Sequence, residues 1–390
     1  MFQLLLAIIY LSFISLGLPD SLLGSAWPTI YPEFNVPVSY AGIIYMIISG
    51  GTIISSLQSD RLTKKFGTGK VTAFSVLTTA IALFGFSISN SYWMLLLWAI
   101  PYGLGAGSVD ASINNYAALH YESRHMSWLH CMWGVGASVG PYIMSFALTN
   151  GQGWQMGYRY ISIIQIVLTV IILFSLPLWK GRGDKGTSEE AGGNTEKPLT
   201  LPEIIRIPGT KQIMLMFFCY CALEQTAGLW GSSYLVLKYG LNAEIAASYG
   251  SMFFIGITVG RAISGFITMK LNDNQMIRLG QGIVLFGLAL MFLPFGHQIA
   301  LIGLIIVGLG CAPIYPCVIH STPEMFGAEK SQAIIGVQMA CAYTGNITMA
   351  PLFGLIANHI SAGLLPAYLL LILVVMFIMH EKLMKITKKN

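Results

Sequence analysis

Residues 158–179 read YRYISIIQIVLTVIILFSLPLW, twenty-two residues carrying one charge, Arg159. A helix rises about 1.5 Å per residue, so a run of this length spans roughly 30 Å, the depth of a bilayer's hydrocarbon. The stretch reads as a membrane-crossing helix. Working outward, comparable runs lie at 4–31, 38–58, 71–89, 92–119 and 127–149 on one side. On the other side they lie at 209–236, 246–269, 276–295, 299–321, 331–357 and 361–380, giving twelve spans. Of the 390 residues, 55% are hydrophobic and 9% charged, against about 25% charged in a soluble domain. These proportions exclude a soluble enzyme and a nucleic-acid binder, and they leave no length for a large soluble domain. The expected fold class is an all-α membrane protein of twelve transmembrane helices, with the lipid bilayer as its main partner.

The positions of the charges set an expected orientation. Eighteen of the 21 Lys and Arg fall at 61–70, 124, 180–211, 270–278, 330 and 382–389, in alternate connections and the C-terminal tail. The positive-inside rule places those connections and both termini in the cytoplasm, in a multi-pass protein of the cell (cytoplasmic or inner) membrane. Arg159 and Lys238 then lie near the outer face and Arg261 lies within a span. The N-terminus enters an apolar run without a basic leader, so it reads as a retained first span. The six cysteines all have apolar neighbours and no CxxC pair, and read as free core thiols. No metal and no cofactor is expected.

The spans divide evenly. Residues 1–180 form an N-terminal six-helix bundle, 181–207 a cytoplasmic linker rich in Gly, Lys, Glu and Thr, and 208–390 a C-terminal six-helix bundle. The halves repeat weakly: Gly103-Leu104-Gly105 leads on to Gly140-Pro141, and Gly308-Leu309-Gly310 leads on to Ala350-Pro351. Two pseudo-symmetric bundles are expected of transporters that rock one repeat against the other around a midplane site.

Ionisable residues inside spans cost about 2.5–3.5 kcal/mol each even on the lenient insertion scale, so each is a functional candidate. Four qualify: Asp20, Asp110, Glu224 and Arg261. At helical spacing Asp20 shares a face with Gly24, Trp27 and Tyr31, a carboxylate beside aromatic rings. Asp110 has Asn114 one turn away, and Glu224 has Tyr220 and Gly228 four residues to either side, with Trp230 close by. His130 and Trp133 share a face in the fifth span, and Gln338 is a polar residue in the eleventh. The competing reading for Asn114, His130 and Gln338 is helix-to-helix hydrogen bonding, and for the carboxylates it is a buried pair with a neighbour such as Arg261. Desolvation favours the protonated form of a carboxyl group, which suits one in a span to carry a proton.

Between the second and third spans, residues 56–67 read SLQSDRLTKKFG. This resembles the cytoplasmic signature of the major facilitator superfamily, with Ser56 where Gly is usual. Asp60 and Arg61 would then latch the protein in one conformation, and Gly260-Arg261 opens a degenerate second copy, adding Arg261 to the gating candidates. The fourth and fifth spans, GLGAGSVDASINNY from Gly103 and LHCMWGVGA from Leu129, resemble the fucose-proton symporter branch of that superfamily. That branch carries an acidic residue followed four positions later by Asn. The resemblance implies that Asp110 and Asn114 line a sugar and proton cavity and that Asp20, followed by Leu22, Leu23 and Pro28, is a proton-coupled carboxylate. Here Asp110 replaces the longer Glu of the symporters.

The resulting expectation is proton-coupled uptake of a small neutral sugar-like solute by a monomer. Asp20 and Glu224 would couple the proton, and Trp27, Asp110, Asn114, His130, Trp133, Trp230 and Gln338 would bind the solute. Asp60, Arg61 and Arg261 would gate. The alternative is a proton-driven drug, amphiphile or lipid exporter. Gly136, Gly140 and Pro141 match half of the antiporter signature of the fifth span, while Met144 and Ser145 stand where its glycines should be. An intramembrane enzyme would need HExxH or a nucleophile with a convergent base or ligand cluster, and His125 and His130 lack convergent ligands. A non-transporting nutrient sensor on the same fold is the remaining possibility.

Overall fold

The computed structural model describes residues 2–37, 40–180, 198–241 and 243–387, and the described residues contain helices and no strand. In chain order the helices are α1 (Phe2–Asp20), α2 (Leu22–Glu33), α3 (Ala41–Phe66), α4 (Thr68–Ser87), α5 (Tyr92–His120), α6 (Ser123–Thr149) and α7 (Gly153–Lys180). After the six-residue α8 (Leu201–Arg206) come α9 (Thr210–Tyr239), α10 (Ala243–Ile267), α11 (Asp273–Phe292), α12 (His297–Cys311), α13 (Ile314–Phe326), α14 (Ala328–Ile356) and α15 (Leu365–Thr387). Ten helical stretches among the described residues are long and apolar enough to cross a membrane, and Met252–Ile267 is a shorter apolar helix. The last stretch, Ala328–Thr387, holds two crossings, because the chain reverses within it: the Tyr368 hydroxyl donates to the Met349 carbonyl at 2.9 Å. The first crossing is broken at Ser21, between α1 and α2, and the tenth at Ala312–Pro313.

The stretch at 158–179 shows what organises these helices. Between Tyr160 and Leu178 of α7 the buried positions are Ile161, Ser162, Gln165, Leu168, Thr169, Ile172 and Ser175, recurring every three or four residues, whereas Ile163, Val167, Val170 and Phe174 are exposed. Polar groups face the protein and large apolar ones face outward, the arrangement a lipid solvent favours. Gln165 accepts from Thr79 at 2.8 Å and donates to the Ser15 carbonyl at 3.0 Å, and Ser162 donates to the Ala80 carbonyl at 2.8 Å. Lipid tails supply no hydrophobic drive to join helices, so such bonds and close packing of small residues do the joining.

The glycine repeats act in this way. A Cβ on Gly103 would lie 2.2 Å from the Ile48 carbonyl oxygen of α3, and one on Gly105 would lie 2.8 Å from that of Ser75 in α4. In the other half a Cβ on Gly308 would lie 2.3 Å from the Phe253 carbonyl oxygen of α10, and one on Gly310 would lie 2.7 Å from that of Gly280 in α11. The fourth and tenth crossings therefore meet their neighbours through the same two glycines at the same spacing, and the weak sequence repeat is a repeat of packing.

Two compact units result, Met1–Tyr116 with Met132–Leu199, and Ala117–Cys131 with Thr200–Asn390. This departs from the expected even split at Ala117–Cys131. That segment packs within the second unit because Trp128 lays its ring against Phe266 at 5.5 Å, over Gly265, where a Cβ would lie 2.1 Å from the indole nitrogen. Most of the expected linker, 181–197, lies outside the described residues; its remaining part holds α8, opened by a capping box between Thr200 and Glu203. The Ser56–Phe66 motif, expected in a connection, is the last part of α3, and the helix ends only at Gly67, whose positive φ of 81° lets the chain turn. Helix and apolar run are not the same length, since a helix can carry charged residues beyond the hydrocarbon.

Candidate functional site

In the first unit the chemistry gathers at Asp20, the last residue of α1, directly after Pro19 and before the break at Ser21. The Trp133 indole N–H donates to Oδ2 at 2.9 Å and the Tyr102 hydroxyl donates to Oδ1 at 3.3 Å. No Lys, Arg or His pairs with it among the described residues. Trp133 reaches the carboxylate because α1 and α6 touch backbone to backbone. A Cβ on Gly17 would lie 2.1 Å from the Trp133 carbonyl oxygen, one on Gly136 2.0 Å from that of Ile14, and one on Gly140 2.2 Å from that of Leu18. The Ser21 hydroxyl adds a 2.7 Å bond to the Ala137 carbonyl.

Asp20 also lines a cavity of about 60 Å³ with Leu23, Tyr45, Phe86, Tyr102 and Tyr158. At roughly 10–15 Å³ of such volume per water, it holds about four waters and is too small for a hexose. The Tyr158 hydroxyl is buried there without a hydrogen-bond partner. Tyr45, Tyr102 and Tyr158 were not singled out from the sequence, where tyrosines in spans read as interface anchors; the one available signal was Pro101-Tyr102 inside an apolar run.

The second unit holds a different cluster. Glu224 of α9 lies 3.6 Å from the Arg261 guanidinium of α10 and accepts a hydrogen bond from the Tyr220 hydroxyl. Arg261, 4% exposed, also donates to the His130 carbonyl at 3.5 Å. The buried His130 ring packs edge-on against Tyr315 at 4.5 Å, and Phe217 lies against the same tyrosine at 4.7 Å. Arg261, expected at a gate, is thus an ion-pair partner of Glu224.

The other expected residues have the following partners. Trp27 is buried in the core against Tyr31 and Tyr92, in the same apolar cluster as Tyr102 and Tyr158, and the hydrogen bonds to the Asp20 carboxylate come from Trp133 and Tyr102. Asp110 accepts from the Asn114 amide at 2.8 Å, and Asn114 is fully buried; eight residues along α5 from Tyr102, the pair sits about 12 Å up the helix. His130 and Trp133, expected on one face, fall in different units. Trp230 donates to the Ala350 carbonyl at 2.8 Å and packs on Phe353, tying α9 to α14. Gln338 is fully buried and bonded to Thr322 at 3.2 Å. Asp60, buried, pairs with Lys64 at 3.2 Å, while exposed Arg61 meets Gln58 at 3.4 Å.

Known proteins share this architecture. The crystal structure of the fucose transporter FucP in its outward conformation matches with a TM-score of 0.77 at 17% identity, covering 96% of this chain and 97% of that one. The proton:xylose symporter XylE matches with a TM-score of 0.76 at 13% identity, covering 95% and 94%. Among sequence relatives, the glucose/mannose transporter GlcP of Bacillus subtilis is 21% identical over 319 residues, 79% of this chain and 77% of that protein. Bypass of stop codon protein 6 of Saccharomyces cerevisiae is 24% identical over 387 residues, 91% and 77%. The family model of the Major Facilitator Superfamily matches residues 9–341. With about ten to twelve apolar helices among its described residues and a repeated glycine packing in its two halves, this chain is a membrane transporter, not an enzyme, and belongs to the Major Facilitator Superfamily.

Proposed function

We propose that this transporter moves a small, neutral, hydroxyl-rich solute, a sugar, inward together with a proton, as a monomer in the cell membrane with both termini in the cytoplasm. The observation that carries the proton is Asp20, a carboxylate at a helix break beside a water-sized cavity, whose hydrogen bonds come from neutral donors, Trp133 and Tyr102. Such a group can be neutralised without stranding a buried cation. Glu224 is different, because taking a proton there would remove the negative charge that faces the buried Arg261 guanidinium at 3.6 Å; we assign the Glu224–Arg261 pair to solute contact and to holding α9 on α10. The sugar reading is supported by the sugars that GlcP, FucP and XylE carry.

The test is solute-dependent proton movement in proteoliposomes with hexoses, pentoses and a cationic dye. Alkalinisation outside on adding a sugar, lost in Asp20→Asn while sugar exchange persists, is the expected result. Accumulation driven by the proton gradient that survives in Asp20→Asn would remove Asp20 from the coupling. Silence with every sugar, together with proton-driven movement of the dye, would hand the protein to the exporter reading.

A further inference from the structure

A second cluster of titratable groups lies within the second unit, away from Glu224. Asp273 is the first residue of α11, behind the cap Asn272, and its side chain is 9% exposed. One carboxylate oxygen accepts from the Ser123 hydroxyl at 2.5 Å, and the other lies 2.5 Å from Nδ1 of His320 on α13. Nε2 of His320 lies 3.0 Å from the backbone carbonyl oxygen of Tyr121. Tyr121 and Ser123 belong to the Ala117–Cys131 segment, so the imidazole spans from α11 to that segment.

The partner chemistry fixes the number of protons. A carbonyl oxygen only accepts, so Nε2 must carry a hydrogen. A carboxylate oxygen facing Nδ1 at 2.5 Å demands one there too. A neutral imidazole beside an ionised Asp273 has only one hydrogen for the two contacts and would set a lone pair against an oxygen at one of them. The pair therefore holds one proton more than that state. With that proton on His320, both ring nitrogens donate and the Asp273 oxygens accept from Nδ1 and from Ser123, so every contact is satisfied.

The other titratable groups of these elements leave that assignment standing. Glu324 lies one turn along α13 from His320. Glu122 is paired with Arg124 at 3.0 Å and is largely exposed. Cys317, one turn earlier on α13, lies 3.8 Å from the Ser123 hydroxyl, and His125 packs its ring against Tyr121 at 5.9 Å. Lys270 lies three residues before Asp273 in the α10–α11 connection.

We propose that His320 and Asp273 form a proton-binding site, distinct from Asp20, whose proton fastens the Ala117–Cys131 segment to α11 and α13. Loss of that proton leaves one of the two contacts repulsive and frees the segment. In the proposed orientation this site faces the cytoplasm, the side on which a carried proton is released. The site itself does not depend on the identity of the solute or on Asp20.

The experiment uses the full chain in lipid nanodiscs without solute. Protein with ¹⁵N-labelled histidine is titrated by NMR, the His320 signals being assigned by their loss in His320→Gln, and hydrogen–deuterium exchange of peptides covering 117–131 is followed over the same pH range, corrected for intrinsic exchange. Two protonated ring nitrogens at pH 7 are expected, with exchange of the segment rising about ten-fold as that proton leaves, the loss of one hydrogen bond to a charged group. In His320→Gln and in Asp273→Asn the exchange should not respond to pH. A single N–H on His320 at pH 7, or wild-type exchange that stays level through the His320 titration, overturns the proposal. Both of these readings come from the wild type, so they stand even if a variant fails to fold.

Discussion

Replacing Gly136 with Ala tests how the Asp20 site is built. The added methyl would lie 2.0 Å from the Ile14 carbonyl oxygen, about 1.4 Å short of the 3.4 Å at which such atoms ordinarily rest. The oxygen belongs to helix backbone and has no rotamer to change, so α1 and α6 must part. An outward shift of that size takes the Trp133 indole from 2.9 Å to about 4 Å from Asp20, where no hydrogen bond remains. Overpacking costs about 1–3 kcal/mol and the lost bond to a carboxylate about 1.5–3 kcal/mol. Because the two overlap, a total of about 2–5 kcal/mol is expected. Thermal unfolding in detergent should show a lower midpoint, and proteoliposomes should show weakened proton movement. Gly282→Ala is the control, since a Cβ there meets nothing within 4 Å and Ala favours helix by up to about 1 kcal/mol. A Gly136→Ala protein that unfolds with the wild type and still couples a proton would refute the argument that backbone contact places Trp133.

Glu224→Gln leaves Arg261 buried without its counter-charge and should cost about 3–5 kcal/mol, much of it recovered in the double variant Glu224→Gln, Arg261→Met, as measured by unfolding in detergent. Gln338→Leu should cost no more than about 1–2 kcal/mol and leave transport unchanged, because Thr322 keeps its 2.9 Å bond to the Val318 carbonyl; a loss of uptake at full stability would return Gln338 to the solute site. The backbone N–H and hydroxyl of Thr200 hold the exposed Glu203 carboxyl below its ordinary 4.5. The capping box of α8 therefore contributes fully above that value and is lost as pH falls through the lower folded value. Amide exchange across 200–206, corrected for intrinsic rate, should rise on acidification in the wild type and not in Glu203→Gln.

The crossings were legible because lipid imposes a length and a polarity on each one. Their ends were less so: hydropathy marks where the hydrocarbon stops, and α3 runs on through Asp60 and Lys64 to Gly67. Asp20 was found from its cost in lipid, yet its partners were not. Helical phase pointed to Trp27, whereas the indole that bonds the carboxylate, Trp133, arrives from a helix more than a hundred residues away through the glycine contacts of α1 with α6. Arg261 and Glu224 were each recognised as expensive, but only three-dimensional structure pairs them. Asp273 escaped notice because it sits at the edge of a span, where a carboxylate is cheap. His320 escaped because nothing in a sequence tells what faces the two nitrogens of an imidazole.

The paired glycines at 103 and 105, and at 308 and 310, have a mechanical consequence. A seam filled with side chains has many rotameric ways to absorb a change in spacing; a seam of peptide on peptide has none. The distances from α5 to α3 and α4, and from α12 to α10 and α11, are thus fixed lengths that neither temperature nor a bound solute can adjust by repacking. Compliance is left to the places where side chains mesh and to the two broken crossings, at Ser21 and at Ala312–Pro313. Those two joints are places where a unit can bend during a transport cycle, and the first of them adjoins Asp20.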